Sequence, residues 1–265
     1  MRKRTSGFWI IAMMALNFSC ETDAPLMPVK RDCNTATPVH DTLVLLVMGQ
    51  SNAANSGETA YSSQCENTYN YFEEKLYPLN DPLKGANGDG GSVWSRLGDK
   101  IVESNFARKV IMVPCAVGGT RIEQWIPGGD LNHLISETIQ HLNHSGLRVT
   151  HVLWHQGESN HVALSGGLTA EQNAASYKAN FHSLVHYLRG IGVDAPVYPA
   201  IATRCIGEPD YALQEAQLEL ANDSLKILNG PNTDLLDNSY RYDNCHFNEN
   251  GLNLHAGMWF NVLTK

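Results

Sequence analysis

From about Thr42 onward the chain alternates short apolar runs with longer amphipathic stretches. That alternation leaves few options beyond an α/β fold, with helices packed on both faces of a mostly parallel sheet. The clearest strand is Thr42-Leu-Val-Leu-Leu-Val-Met48, apolar on both faces as a central strand covered by helices must be. Val110 to Pro114, Val149 to Trp154 and Pro196 to Ala202 repeat the pattern. Helical segments are expected at Val93 to Phe106, Leu131 to His144, Ala170 to Arg189 and Tyr211 to Leu228. In the second of these, Leu131, Leu134, Ile135, Thr138 and Leu142 recur every three or four residues, with Asp130 placed as N-cap. The stretch from Asn55 to Gly91, rich in Gly, Asn, Asp and Ser, shows little periodicity and predicts a long loop region holding at most one short strand. No internal repeat or second core appears, so residues 41–265 are expected to form one domain.

The first residues behave differently. Arg2, Lys3 and Arg4 precede a short apolar stretch, Phe8 to Leu16, that ends in Asn17-Phe-Ser-Cys20. This predicts an export signal over residues 1–19 and a linker over residues 20–40. The apolar run is about half the roughly 20 residues a bilayer span requires. Cys20 directly after a small residue resembles a bacterial lipoprotein processing site, with ordinary cleavage nearby as the alternative. The expected location is therefore periplasmic, extracellular or lipid-anchored at Cys20. Acidic residues outnumber basic ones 27 to 19, and signal removal would take away only basic residues. An acidic chain repels nucleic acid, which is excluded as a partner. Cys33, Cys65, Cys115, Cys205 and Cys245 show no CxxC spacing, so an exported chain is expected to use them for disulfides with one left over. Cys115, ending an apolar run, is the expected free thiol.

In open α/β sheets ligands bind beyond the carboxyl ends of the strands. Four segments there carry chemistry. Gly49-Gln50-Ser51-Asn52 presents a hydroxyl and a backbone N–H at a strand-to-helix turn, where a lone Ser would otherwise serve as an N-cap. Ala116-Val-Gly-Gly-Thr120 allows a close backbone approach, or is simply a tight turn. His155-Gln-Gly-Glu-Ser-Asn160 offers a side-chain amide donor in Gln156 and an acceptor in Glu158 that could fix loop geometry. In Asp243-Asn-Cys-His246, Asp243 can fix the imidazole tautomer while His246 takes a proton from a Ser on another strand.

Together these blocks, in this order and spacing, resemble the SGNH hydrolase superfamily, more narrowly its carbohydrate-esterase and sialate O-acetylesterase-like branch, in which a Gln-Gly-Glu block stands where other members carry an Asn. The resemblance implies a three-layer α/β/α sandwich, flavodoxin-like, with a five-stranded parallel sheet. It implies Ser51 as nucleophile, His246 as general base and then acid, and Asp243 as orienting carboxylate. The oxyanion donors it implies are the Ser51 N–H, a glycine N–H and the Gln156 amide, with Gly119 preferred to Gly118 because the donor usually precedes the polar residue ending that block, here Thr120. The implied reaction removes acetyl groups from a polysaccharide, oligosaccharide or sialic acid through an acyl-enzyme, with no metal or cofactor. Two departures stand out: Asn160 replaces a common Asp, and Cys245 lies inside the Asp-x-x-His block.

Arg121 and Trp125 follow the glycine block and are candidates for binding a sugar, against a packing or salt-bridge role. A Cys205–Cys245 disulfide is expected to pin the Asp243 and His246 turn, since both cysteines fall near the carboxyl edge of the sheet. His182 and His186 lie four apart on a helix without a third ligand, so no metal site is expected. The alternatives are a non-catalytic surface carbohydrate-binding protein, for which the intact Ser51, Asp243 and His246 would be superfluous, and an esterase of other small acyl esters.

Overall fold

The computed structural model describes residues 30–205 and 207–265, so the expected export signal and Cys20 lie outside the described residues. Among the described residues, no helix is long and apolar enough to cross a membrane. The strands are β1 (His40–Gly49), β2 (Thr68–Phe72), β3 (Lys75–Pro78), β4 (Ala107–Ala116), β5 (His151–His155) and β6 (Val197–Pro199). The helices are α1 (Val93–Glu103), α2 (Asn132–His144), α3 (Ala170–Gly190), α4 (Tyr211–Leu218) and α5 (Glu249–Leu263). The sheet order is β3-β2-β4-β1-β5-β6. Five strands run parallel, and β3 is added antiparallel at the edge of β2.

β1 shows why three layers form. Its side chains alternate between the two faces. Leu43, Leu45 and Val47 enter one core with Val93, Leu97 and Ile101 of α1 and Leu252, Ala256 and Trp259 of α5. Val44, Leu46 and Met48 enter the other with Ile135 and Ile139 of α2, Phe181 and Leu184 of α3 and Leu213 of α4. The unbroken apolar run Leu43 to Met48 is thus buried on both sides.

Several expectations are corrected. The Asn55–Gly91 stretch holds two strands rather than at most one, which raises the sheet from five strands to six. The β2–β3 hairpin turns at Glu73 and Glu74, both with positive φ (45° and 60°), a geometry usually marked by Asn or Gly, so its sequence carries no turn signal. The helix expected to run from Tyr211 to Leu228 stops at Leu218. Beyond it Asn222 caps a short turn and Ile227 bridges to Val197, so this segment pairs with the edge of β6. Leu131, not Asp130, is the α2 N-cap, and Asp130 instead accepts hydrogen bonds from Gln124.

Two disulfides form among the described residues, Cys33–Cys65 and Cys205–Cys245, and Cys115 is free and buried. Burial pushes the Cys115 thiol up to about 12, so it is inert as a nucleophile at neutral pH. The first disulfide holds residues 30–39 against the domain, assisted by Asn105, whose side-chain oxygen accepts from the Thr35 and Ala36 N–H groups.

Candidate active site

β1 lies between β4 and β5 with Gly49 level with both Ala116 and His155, so the loops after these three strands converge. Gly49 has φ +136°, and a Cβ there would lie 2.0 Å from the His155 carbonyl oxygen. Only glycine lets β1 end this close to β5. The chain then turns through a short 3₁₀ segment, Ser51–Ala53, closed by Ala53 N–H donating to the Gln50 carbonyl at 2.8 Å. Among the described residues the Ser51 N–H has no backbone partner.

The Asp243 turn is built by its own side chain. Asp243 Oδ1 accepts from the backbone N–H of His246 at 2.6 Å and of Cys245 at 3.0 Å, while Oδ2 pairs with His246 Nδ1 at 2.6 Å. Asn244 takes the left-handed conformation that Asn tolerates, with φ +65°. Partial burial of Asp243 opposes ionisation, but the bonds from His246 and Cys245 outweigh it and hold the carboxyl below its ordinary value. With Nδ1 on a carboxylate, His246 Nε2 is left to receive a proton. Among the described residues its one hydrogen-bond contact is Cys245 Sγ, at 3.9 Å.

Asn52 joins this turn to the serine turn. Its Nδ2 donates to Glu158 Oε1 at 2.8 Å and to the Cys245 carbonyl at 3.3 Å, placing Ser51 and His246, the neighbours of Asn52 and Cys245, at one corner. Arg241, buried and stacked on Phe247, donates to the same Cys245 carbonyl and to Leu236 and Thr233. Glu158 is wholly buried, which pushes its carboxyl up to about 7, against the pull of the Asn52 bond and the Arg241 charge.

The remaining sequence candidates separate. Gln156 is 0% exposed, and its Nε2 is shared among Gln50 Oε1, the Thr120 carbonyl and Asn160 Oδ1 at 2.7–3.2 Å. The structure therefore corrects its expected oxyanion role: its donors are spent on tying three loops together. Asn160, in place of the family's common Asp, donates to Glu123, which an Asp would repel. Trp125 is also fully buried, its indole N–H on Thr120 Oγ1, and is a packing residue rather than a sugar contact. Arg121 is largely committed as well, donating to the Ser159 and Leu164 carbonyls and pairing with Glu123 at 3.3 Å. Gly119 is exposed at φ +73° with open space around it. Gly118 is the glycine packed on the serine: a Cβ there would sit 3.4 Å from Ser51 Cβ. Its N–H is held by Asn87 Oδ1 at 2.8 Å.

Sequence reasoning missed Asn52, Asn87 and Tyr242. Asn52 was in the serine block but had no visible partner. Asn87 sat in the unpatterned segment and carried no signal. Tyr242 is 49% exposed with its ring stacked near that of His246, a neighbour that appears only once the turn is folded.

The serine turn and the carboxylate-held imidazole are thus tied together through Asn52 on a three-layer α/β/α sandwich. Residues 41–262 match the family described as carbohydrate esterase, sialic acid-specific acetylesterase, and the chain belongs to that family. A probable carbohydrate esterase of Arabidopsis thaliana is 32% identical over 111 residues, a match spanning 41% of this chain and 40% of that relative. A solved Arabidopsis thaliana structure superposes with a TM-score of 0.67 at 19% identity, covering 85% of this chain and 99% of that one. The structure of NanS gives 0.54 at 14% identity over 86% of this chain and 96% of that one. That of a putative GDSL-like lipase from Parabacteroides merdae gives 0.53 at 12% over 88% and 99%. At these identities the structural likenesses establish the fold.

Proposed function

We propose that the protein is an exported acetylesterase that removes acetyl groups from O-acetylated carbohydrate through an acyl-enzyme on Ser51. The observation that carries this is the 2.6 Å Asp243–His246 pair, tied through Asn52 to the serine turn. Ser51 Oγ attacks the acetyl carbonyl as His246 Nε2 takes its proton; the tetrahedral oxyanion collapses, the sugar–oxygen bond to the acetyl carbon breaks, and His246 returns the proton to the departing sugar oxygen. Water then attacks the acetyl-serine with His246 again as base, releasing acetate. The Ser51 N–H is one oxyanion donor. Export is supported by the basic and apolar leader, and a lipid anchor at Cys20 by its place at the leader's end.

The charge around the mouth favours a neutral sugar over sialic acid. Burial of Tyr242 raises its hydroxyl pKa, and the charges of Asp243, Glu58 and Asp89 raise it further, so acidic groups face this side chain. Arg121, the candidate for a substrate carboxylate, is engaged with Glu123 and two carbonyls.

The test is acetate release from an aryl acetate by wild type and Ser51→Ala at matched concentration and folded state. Turnover by wild type alone supports the reading; inert wild type supports the binding-protein alternative, and equal activity removes Ser51 as nucleophile. Because the triad acts as a unit, Ser51→Ala and His246→Ala should lose similar amounts, and the double variant little more. Acetylated neutral oligosaccharides should then be better substrates than O-acetyl sialic acid; the reverse order would refute the neutral-sugar assignment.

A further inference from the structure

We infer that Asn87 is a catalytic residue, its side-chain amide donating to the oxyanion of the acetyl group under attack. This rests on the serine-esterase reading above and fills the donor position that Gln156, buried and with its amide N–H groups already taken, leaves open.

The backbone around Asn87 is fixed from both sides. Its N–H donates to the Ala116 carbonyl at the end of β4 at 3.2 Å, and its own carbonyl accepts from the Asn55 N–H at 3.0 Å. Asn55 is itself buried and anchors the same loop, donating to the Leu83 and Ala86 carbonyls and accepting from the Leu83 N–H. The Asn87 side chain therefore projects from a rigid base, although the residue is exposed to solvent.

The orientation of its amide is determined. Gly118 N–H donates to one carboxamide atom at 2.8 Å, so that atom is the oxygen and the other is the nitrogen. Among the described residues Asn87 Nδ2 has no protein acceptor, so both its hydrogens are available to a ligand.

The available space is beside the nucleophile. The position a Cβ would take on Gly118 lies 3.4 Å from Ser51 Cβ, 3.6 Å from Asn87 Oδ1 and 3.7 Å from Asn87 Nδ2. Glycine leaves that volume empty, bounded by the serine on one side and the carboxamide on the other. An ester carbonyl approaching Ser51 Oγ can place its oxygen there, between the Ser51 N–H and the Asn87 amide. As the carbonyl becomes tetrahedral, negative charge grows on that oxygen, and a preorganised donor gains strength in the transition state over the ground state.

The test separates donation from the support Asn87 gives to Gly118. Asn87→Asp keeps an oxygen for the Gly118 N–H but replaces the donor by an acceptor; Asn87→Ala removes both. Aryl acetate kinetics, thermal unfolding and the rate of Ser51 labelling by a phosphonate ester would be measured for both variants beside wild type and Ser51→Ala. Expected is a fall in kcat of about 10²–10³-fold for each variant with KM changed by less than about threefold, a parallel fall in labelling rate, and little change in unfolding temperature. Retention of wild-type kcat by Asn87→Asp with loss in Asn87→Ala would overturn the inference, leaving Asn87 a support for Gly118. Wild-type kcat in Asn87→Ala, whatever Asn87→Asp does, would overturn it too. Active wild type with inert Ser51→Ala in the same experiment keeps these outcomes distinct from failure of the esterase reading itself.

Discussion

Asn52 Nδ2 donates to the buried Glu158 Oε1 at 2.8 Å, linking the residue after the proposed nucleophile to the loop after β5. The same nitrogen reaches the Cys245 carbonyl, so one side chain sets the spacing of three loops. Asn52→Ala should leave Glu158 without this donor and cost about 1–3 kcal/mol of stability. It should also lower kcat more than it raises KM, because the serine and histidine turns lose their shared strut. Urea unfolding and aryl acetate kinetics check both; unchanged kcat would remove the positioning role.

Glu158 makes stability depend on pH in a particular direction. Burial raises its folded carboxyl from 4.5 to about 7, so the folded protein holds this proton more tightly than the unfolded chain. Its contribution is complete below about 4.5 and is lost as pH rises through about 7. His155, kept near 3 by burial with the Arg241 charge adding to it, works oppositely: its folded form binds a proton less readily, so stability is gained as pH rises toward 6.5. Glu158→Gln removes the first effect. Relative to wild type, the variant should therefore gain stability steadily between pH 4.5 and pH 7 in urea unfolding. A relative loss over that range would contradict the assignment.

Gln156→Ala is expected to act on stability first. Its amide serves Gln50, Thr120 and Asn160, and removal takes a donor from the buried Thr120 carbonyl, while Gln50 Oε1 and Asn160 Oδ1 keep the Ser159 and Ile122 N–H groups. The unfolding midpoint should fall by an amount equivalent to about 1–3 kcal/mol or more. Full stability with a large loss of kcat would instead restore Gln156 to the oxyanion.

The Cys205–Cys245 bond fixes the chain next to His246. Replacing both cysteines by Ser should cost about 2–4 kcal/mol and lower kcat, since the histidine turn loses its cross-link to the loop after β6. The paired Cys33→Ser and Cys65→Ser variant, altered far from the site, should lose stability with kcat retained. Equal kinetic effects in the two pairs would argue against a local role.

What could be read from the chain depended on range. Strand β1 announced itself because Leu43 to Met48 are all apolar, and the four blocks lay just where a parallel sheet delivers side chains to one edge. Local turns were also accessible: Asp243 and His246 are three residues apart and make their own geometry. The β2–β3 hairpin was hidden because two Glu residues occupy the left-handed turn positions. The roles of Gln156, Trp125 and Asn87 were hidden for another reason. Each is decided by partners from distant segments, Asn87 by Gly118 and Gln156 by Gln50, and no local pattern encodes which donor ends up occupied and which stays free.

The Cys33–Cys65 bond fixes where any upstream tether must leave the domain. Residues 33–36 lie against Cys65, Asn105 and Arg108, by the first residues of β4 and the last turn of α1. Ser51 follows the far end of β1, a strand of 10 residues and so about 30 Å long. The chain therefore enters the domain at the pole opposite the serine turn, and the first described residues stay clear of the edge where Ser51 and His246 meet a substrate.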